Sequence, residues 1–157
     1  MSARTPTSSA PVKGIALYLI DTNVISEARK GARADVGVRQ FVAEVDPSSL
    51  FLAVQTVGEL RCGMHRLRAR GDIDQALRLE TWLSDVLQEF DGRILAFDRD
   101  CADVWGVLMA KGSQNPIDKQ IAAVAAVYDL TLVTRDVADM AMTGVQLLNP
   151  FAAGPAG

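Results

Sequence analysis

The chain has 157 residues, about one domain's length, and its 49 % hydrophobic and 22 % charged residues are a globular composition that argues against disorder. Lys plus Arg number 16 and Asp plus Glu 19, a formal charge of −3, which excludes a protein that coats nucleic acid by bulk charge. A nucleic-acid enzyme with a local basic patch is not excluded.

In chain order, residues 1–13 (MSARTPTSSAPVK) are small, polar and proline-bearing with no apolar stretch, which reads as a disordered tail and not a signal peptide. A single folded domain is expected over residues 14–151. Residues 15–20 (IALYLI) are continuously apolar and stop at Asp21-Thr22-Asn23, the pattern of a buried parallel strand with polar groups at its carboxyl end. A short helix is expected at about 24–30, ended by Gly31, and a second at about 36–45, before Asp46-Pro47. Residues 50–54 (LFLAV) form the next strand. Thr56, with Glu59 three residues on, fits a capping box, so a helix is expected from there to about Arg70. Another helix at about 74–90 carries one apolar stripe, Leu79, Trp82, Leu83, Val86, Leu87 and Phe90. This stripe reads as core, part of which could line a groove for a partner helix. A strand at 93–97, a helix at about 100–111 and a helix at about 116–128, opened by Pro116, come next. The pattern closes with a strand at 131–134, the turn Arg135-Asp136, a short helical piece and a last strand at 145–149; residues 152–157 read as a loose tail. Alternating strands and helices define an α/β fold with a mostly parallel central sheet flanked by helices. No apolar run approaches the roughly 20 residues of a membrane helix. Cys62 and Cys101 lack C-x-x-C spacing and read as reduced thiols. A cytoplasmic chain is the expectation.

His65 is the chain's one histidine, so neither a His-acid/His-base nuclease nor H-E-x-x-H zinc chemistry is available. Gly58 and Gly63 have P-loop spacing, but Met64 and His65 stand where Lys and Ser/Thr are required. Carboxylates remain. Asp21 follows the first strand, Glu59 lies in the helix after the second, Asp118 opens a late helix, and Asp136 follows the strand after it. All four are candidates for the carboxyl edge of one sheet, where open parallel sheets bind ligands. Helix capping accounts for Glu59 or Asp118 taken singly, and less well for Asp21, because an acid ending an apolar strand must find partners or a cation. Four acids together repel unless something positive binds, and acids without His or Cys select a hard cation such as Mg²⁺. From residues alone the reading is metal-dependent hydrolysis of a phosphate ester or diester.

Four stretches carry a resemblance: Tyr18-Leu-Ile-Asp-Thr-Asn-Val-Ile-Ser-Glu27, Thr56-Val-Gly-Glu-Leu-Arg-Cys-Gly63, Ile117-Asp-Lys-Gln-Ile-Ala-Ala-Val-Ala125 and Leu132-Val-Thr-Arg-Asp136. In this order they resemble the PIN-domain ribonucleases. The closing Gly144-Val-Gln-Leu-Leu-Asn-Pro-Phe151 is similar to the toxins of type II toxin–antitoxin pairs, the VapC group and its FitB-like branch. The resemblance covers about residues 17–151 and implies a PIN-like three-layer fold and an endoribonuclease using Mg²⁺, with Mn²⁺ able to substitute, whose metal-activated water attacks phosphorus. It implies Asp21 and Asp118 as metal ligands, Glu59 completing the acidic pocket, and Asp136 as a fourth acid. Asp139 lies where relatives carry an Asp before an aromatic, here replaced by Met140. Thr22 and Asn23 are expected to orient Asp21, or simply to cap the helix. The implied partners are an RNA substrate and a small DNA-binding antitoxin encoded alongside, with a homodimer assembling further into a hetero-oligomer, and no membrane.

Arg61, Arg66, Arg68 and Arg70 cluster near His65, either as a solvated basic helix end or as a phosphate track for RNA. A haloacid-dehalogenase-like phosphatase also begins with a strand-ending Asp but wants an acid two residues later, where Asn23 stands. A catalytically silent regulatory or interaction module is the remaining alternative.

Overall fold

The structure, a computed structural model, describes Arg4 and residues 15–152. The tail expected at 1–13 lies outside the described residues apart from Arg4. Its N–H donates to Val127 O at 2.9 Å. Its guanidinium pairs with Asp98 and Asp100 and covers the Tyr128 ring. Of the tail expected at 152–157, only Ala152 is described, and it is tied down, its N–H donating to Asp35 Oδ1 at 3.0 Å.

The elements follow the sequence closely. They are β1 (Tyr18–Ile20), α1 (Thr22–Ala28), α2 (Val36–Glu44), β2 (Leu50–Ala53), α3 (Val54–Ala69), α4 (Ile73–Glu89), β3 (Ile94–Leu95), α5 (Arg99–Lys111), α6 (Pro116–Tyr128), β4 (Thr131–Val133), α7 (Val137–Met140) and β5 (Leu147–Leu148). α1 ends at Ala28, before the expected stop at Gly31, which at a φ of 59° instead opens a 3-10 turn (Gly31–Arg33), and Asp35 caps α2 by accepting from the N–H groups of Gly37 and Val38. A further expectation fails. Thr56 is not an N-cap: Ala53, in extended geometry at the end of β2, leads directly into α3, which therefore starts two residues earlier. Thr56 is fully buried inside the first turn, and Glu59 projects from the second. With no loop between β2 and α3, there is no room for a separate capping residue.

The five strands form one sheet, all parallel, in the order β3-β2-β1-β4-β5. Alternation along each strand gives it two apolar faces. Leu19, Phe51 and Leu132 meet Cys101 and Leu108 of α5 and Ile121–Ala125 of α6. Ile20, Leu52 and Val133 meet Val24 and Ile25 of α1, Val38 of α2, Leu60 of α3 and Leu83 of α4. This is the expected three-layer sandwich. Trp82 and Phe90 belong to the second core and also line an apolar cleft of about 150 Å³ with Val24, Phe41 and Val42. Met140, which stands in place of the aromatic of the resemblance, is buried in the first core.

Two features place the site. The strands run β1 to β3 in one direction from the centre and β4 to β5 in the other, so the topological switch point lies between β1 and β4, where open α/β sheets form their crevice. α6, which carries Asp118, is bracketed by Asn115 (φ 52°) and Asp129 (φ 55°), both left-handed, a conformation that Asn and Asp tolerate. Among the described residues, no helix is long and apolar enough to cross a membrane.

Leu19 is fully buried at the centre of the sheet. Leu19→Ala should cost about 2–5 kcal/mol of stability. Urea denaturation checks this, and an unchanged midpoint would contradict the core described above.

Candidate active site

The register of β1 with β4 pairs Ile20 with Val133, so the next residues, Asp21 and Thr134, face each other across the switch point. Asp21 is 3 % exposed and accepts three hydrogen bonds. These come from the Thr22 N–H at 2.8 Å, the Thr134 hydroxyl at 2.7 Å and the Asn23 amide at 3.3 Å. The Asn23 amide also donates to Asp136 Oδ2 at 3.1 Å, so it bridges the two carboxylates. Its carbonyl accepts the Arg135 N–H at 3.1 Å, and Thr134 Oγ1 accepts the Asp136 N–H at 3.0 Å. One buried hydroxyl and one amide thus lock the ends of two neighbouring strands together.

On the other flank, Thr22 Oγ1 lies 2.7 Å from Glu59 Oε1 and 3.1 Å from Thr56 Oγ1. A hydroxyl has one proton to donate. Thr22 gives it to the carboxylate, and Thr56 in turn donates to Thr22. Glu59 is thereby aimed at the end of β1 although it stands on α3.

Asp118, in the first turn of α6, completes the group. Its carboxyl is pushed up to about 6, first by burial and then by the charges of Asp21, Glu59, Asp136 and Asp139. Burial also raises the Asp21 carboxyl above its ordinary range, against the opposing pull of its hydrogen bonds. Five carboxylates from different parts of the chain therefore act on one another at the carboxyl edge of the sheet.

The sequence pattern of the PIN domain family matches residues 18–140. The chain belongs to the PIN-domain family. It is similar to the VapC ribonuclease Y4jK of Sinorhizobium fredii, with 34 % identity over 86 % of this chain and 98 % of that protein. It is also similar to Toxin FitB of Neisseria gonorrhoeae, with 31 % identity over 86 % of this chain and 99 % of that protein. A solved structure of FitAB bound to a DNA fragment matches 90 % of this chain and 100 % of its own at 27 % identity, with a TM-score of 0.76.

Within this PIN domain, the acids singled out in the sequence converge, and Thr22 and Asn23 orient them as well as opening α1. Asp139 is exposed on α7. With Asp118, Asn115, Lys119 and Met140 it lines a cleft of about 230 Å³. The arginines do not converge. Arg61 and Arg68 lie about 180–200° round α3 from Glu59, and Arg68 is paired with Glu80 of α4 at 2.6 Å. Arg66 shares the Glu59 flank, about 10 Å further along the helix, and Arg70 caps its far end. His65 is exposed on α3 and faces well away from Glu59, about 240° round the helix. Asn23, two residues after Asp21, is engaged as a bridging donor, so the acid that the phosphatase alternative needs is missing.

Two residues were not read from the sequence as site components: Thr134, which holds Asp21, and Thr56, which backs Thr22. The signal for Thr134 was available in Thr134-Arg135-Asp136, a hydroxyl one residue past an apolar strand that neighbours β1.

Among the described residues no three Asp, Glu, His or Cys side chains are already arranged as a metal cage. The donor chemistry still fits a hard divalent cation, which keeps several waters and uses one or two carboxylates. The site offers one buried, firmly held carboxylate (Asp21), two half-buried ones (Asp118 and Asp136) and two exposed ones (Glu59 and Asp139), without thiol or imidazole.

In metal-free buffer the raised Asp118 carboxyl binds its proton more tightly in the fold than in the unfolded chain. Its favourable contribution is complete below the unfolded value of 3.8 and is lost as pH rises to about 6. Wild-type stability should therefore fall across that range relative to Asp118→Asn, and the variant should be at least as stable at neutral pH. Thermal melts of both proteins in EDTA from pH 4 to 7 check this. Parallel curves would mean that neither burial nor the neighbouring carboxylates raise the Asp118 carboxyl.

Proposed function

We propose that this PIN-domain protein is a Mg²⁺-dependent endoribonuclease and the toxin of a type II toxin–antitoxin pair. The observation that carries the reading is the convergence of four carboxylates, Asp21, Glu59, Asp136 and Asp139, on Asp118 in a site without histidine. When bound, a divalent cation supplies the positive charge that makes a water nucleophilic and stabilises the leaving oxygen of an in-line displacement at phosphorus. Asp21 and Asp118 would hold it. Asp21 is pre-oriented by three donors. Asp118 is the acid whose ionisation burial and the neighbouring carboxylates oppose most, so it gains most from a cation. Glu59 is fixed by the Thr56–Thr22 hydroxyl pair, and Asp136 by the Asn23 bridge, so both face the same space. The VapC ribonuclease relative supports RNA as the substrate.

Purified protein should cleave single-stranded RNA with Mg²⁺ or Mn²⁺, and EDTA should abolish cleavage. Asp21→Asn and Asp118→Asn should each lower the rate about 10²-fold or more while remaining folded. The products should carry 5′-phosphate and 3′-hydroxyl ends. Cyclic phosphate ends formed in EDTA would overturn the reading.

We further propose a DNA-binding antitoxin as partner, supported by the likeness to Toxin FitB and to FitAB bound to a DNA fragment. The apolar cleft between α1, α2 and α4 offers such a partner an apolar seat. Co-expression with a short reading frame next to this gene should relieve growth arrest and yield a complex that copurifies. Growth arrest that no neighbouring frame relieves would count against it.

A further inference from the structure

We infer that Arg135, seated on the chain's C-terminal segment, forms a phosphate-binding subsite for the RNA backbone at the rim of the acidic site. This inference rests on the ribonuclease reading above. Arg135 lies between Thr134 and Asp136, and its N–H is fixed on Asn23, so its backbone is part of the frame that holds Asp21. Its guanidinium carbon lies 3.7 Å from the centre of the Phe151 ring, a stacking distance. The side chain is exposed and, among the described residues, its guanidinium makes no hydrogen bond or ion pair. One planar face is held and the N–H edge is left open, the arrangement that suits forked recognition of a phosphate.

Nearby acids do not occupy that edge. The charge of Arg135 reaches Glu27 and Asp35, and both carboxyls are held below their ordinary range mainly by other groups. Glu27 is paired with Lys30 at 2.5 Å and accepts the Asp35 N–H. Asp35 Oδ1 accepts from Gly37, Val38 and Ala152. Neither acid lies within ion-pair distance of Arg135.

The platform is built rather than incidental. β5 is fastened to the site strand by the Thr134 N–H donating to Leu148 O at 2.9 Å. Asn149 Oδ1 accepts the Phe151 N–H at 3.0 Å, and Asp35 anchors Ala152. The segment lies directly on the backbone of α2 at Gly37, where a Cβ would stand 2.2 Å from Pro150 O and 2.6 Å from Ala152 N. A solvated surface arginine needs none of this. Standing between Thr134 and Asp136 at the end of β4, this cation offsets part of the repulsion that a polyanionic substrate meets on approach to the acidic site.

The test is fluorescence anisotropy with labelled single-stranded RNAs of unrelated sequence, in EDTA and over a range of KCl, for wild type, Arg135→Met, Arg135→Lys, Phe151→Ala and Gly37→Ala. Arg135→Met should weaken binding by a similar factor for every RNA. It should also lower the slope of log affinity against log salt by about 0.7, the value for one phosphate contact on a single strand. Arg135→Lys should retain the slope but not the full affinity. Phe151→Ala and Gly37→Ala should weaken binding with Arg135 intact. Melting temperatures of both Arg135 variants should match wild type, and KM for RNA cleavage should rise more than kcat falls. Unchanged RNA affinity and slope in Arg135→Met overturn the subsite, as does a loss that merely follows a lowered melting temperature. A loss confined to an oligoglutamate probe would also overturn it, because it assigns Arg135 to an acidic protein partner. If wild type neither binds nor cleaves RNA, the ribonuclease reading itself falls, whereas RNA binding that ignores Arg135 removes this inference alone.

Discussion

A carboxylate buried at the end of an apolar strand is the constraint on which the rest of this molecule depends. Asp21 cannot be hydrated by bulk water, and a buried acid without partners is costly. The fold answers with donors from three directions: the first turn of α1, Asn23, and Thr134 on the adjacent strand. Because Thr134 and Asn23 also hold Asp136 and Arg135, satisfying one carboxylate fixes the relative position of β1, β4 and the turn that follows. The architecture of the site is largely the hydrogen-bond requirement of Asp21, extended outward.

That frame holds a second tension in place. Like charges brought together from β1, α3, α6 and the β4–α7 turn disfavour one another's ionisation, and Asp118 bears the largest share. The apolar faces of the sheet, packed on both sides by helices, oppose that repulsion and keep the carboxylates together. In the proposed function, affinity for a cation and reduced stability without one would be two expressions of the same proximity.

The fold was legible because its signals were local. Continuous apolar runs marked β1 and β2, Pro116 marked the start of α6, and the alternation of strands with helices gave the parallel sheet. Asp21, Asp118 and Asp136 were legible because each sits at a strand or helix boundary that the pattern itself locates, whereas Glu59, in the second turn of α3, was marked by its place shortly after the second apolar strand. What was missed depended on contacts between distant segments. Thr56 has the local appearance of a cap, and only the direct passage of β2 into α3 turns it inward towards Thr22. Thr134 acquires its role from the β1–β4 register, which no local window contains. The arginines of α3 formed a cluster along the chain but not in space, because residues two and nine positions from Glu59 emerge on the opposite flank of a helix.

The sheet's outer strands carry a consequence for assembly. β3 and β5 are two residues each, and beyond β5 the chain turns onto α2. Edges this short present almost no free row of N–H and C=O groups, so a second chain has little to extend by strand addition. Among the described residues, the surface left for contact with another chain is therefore mainly side chains on the helices. Such contacts can be altered one residue at a time, so the choice of partner can drift in evolution while the sheet that holds the acids stays as it is.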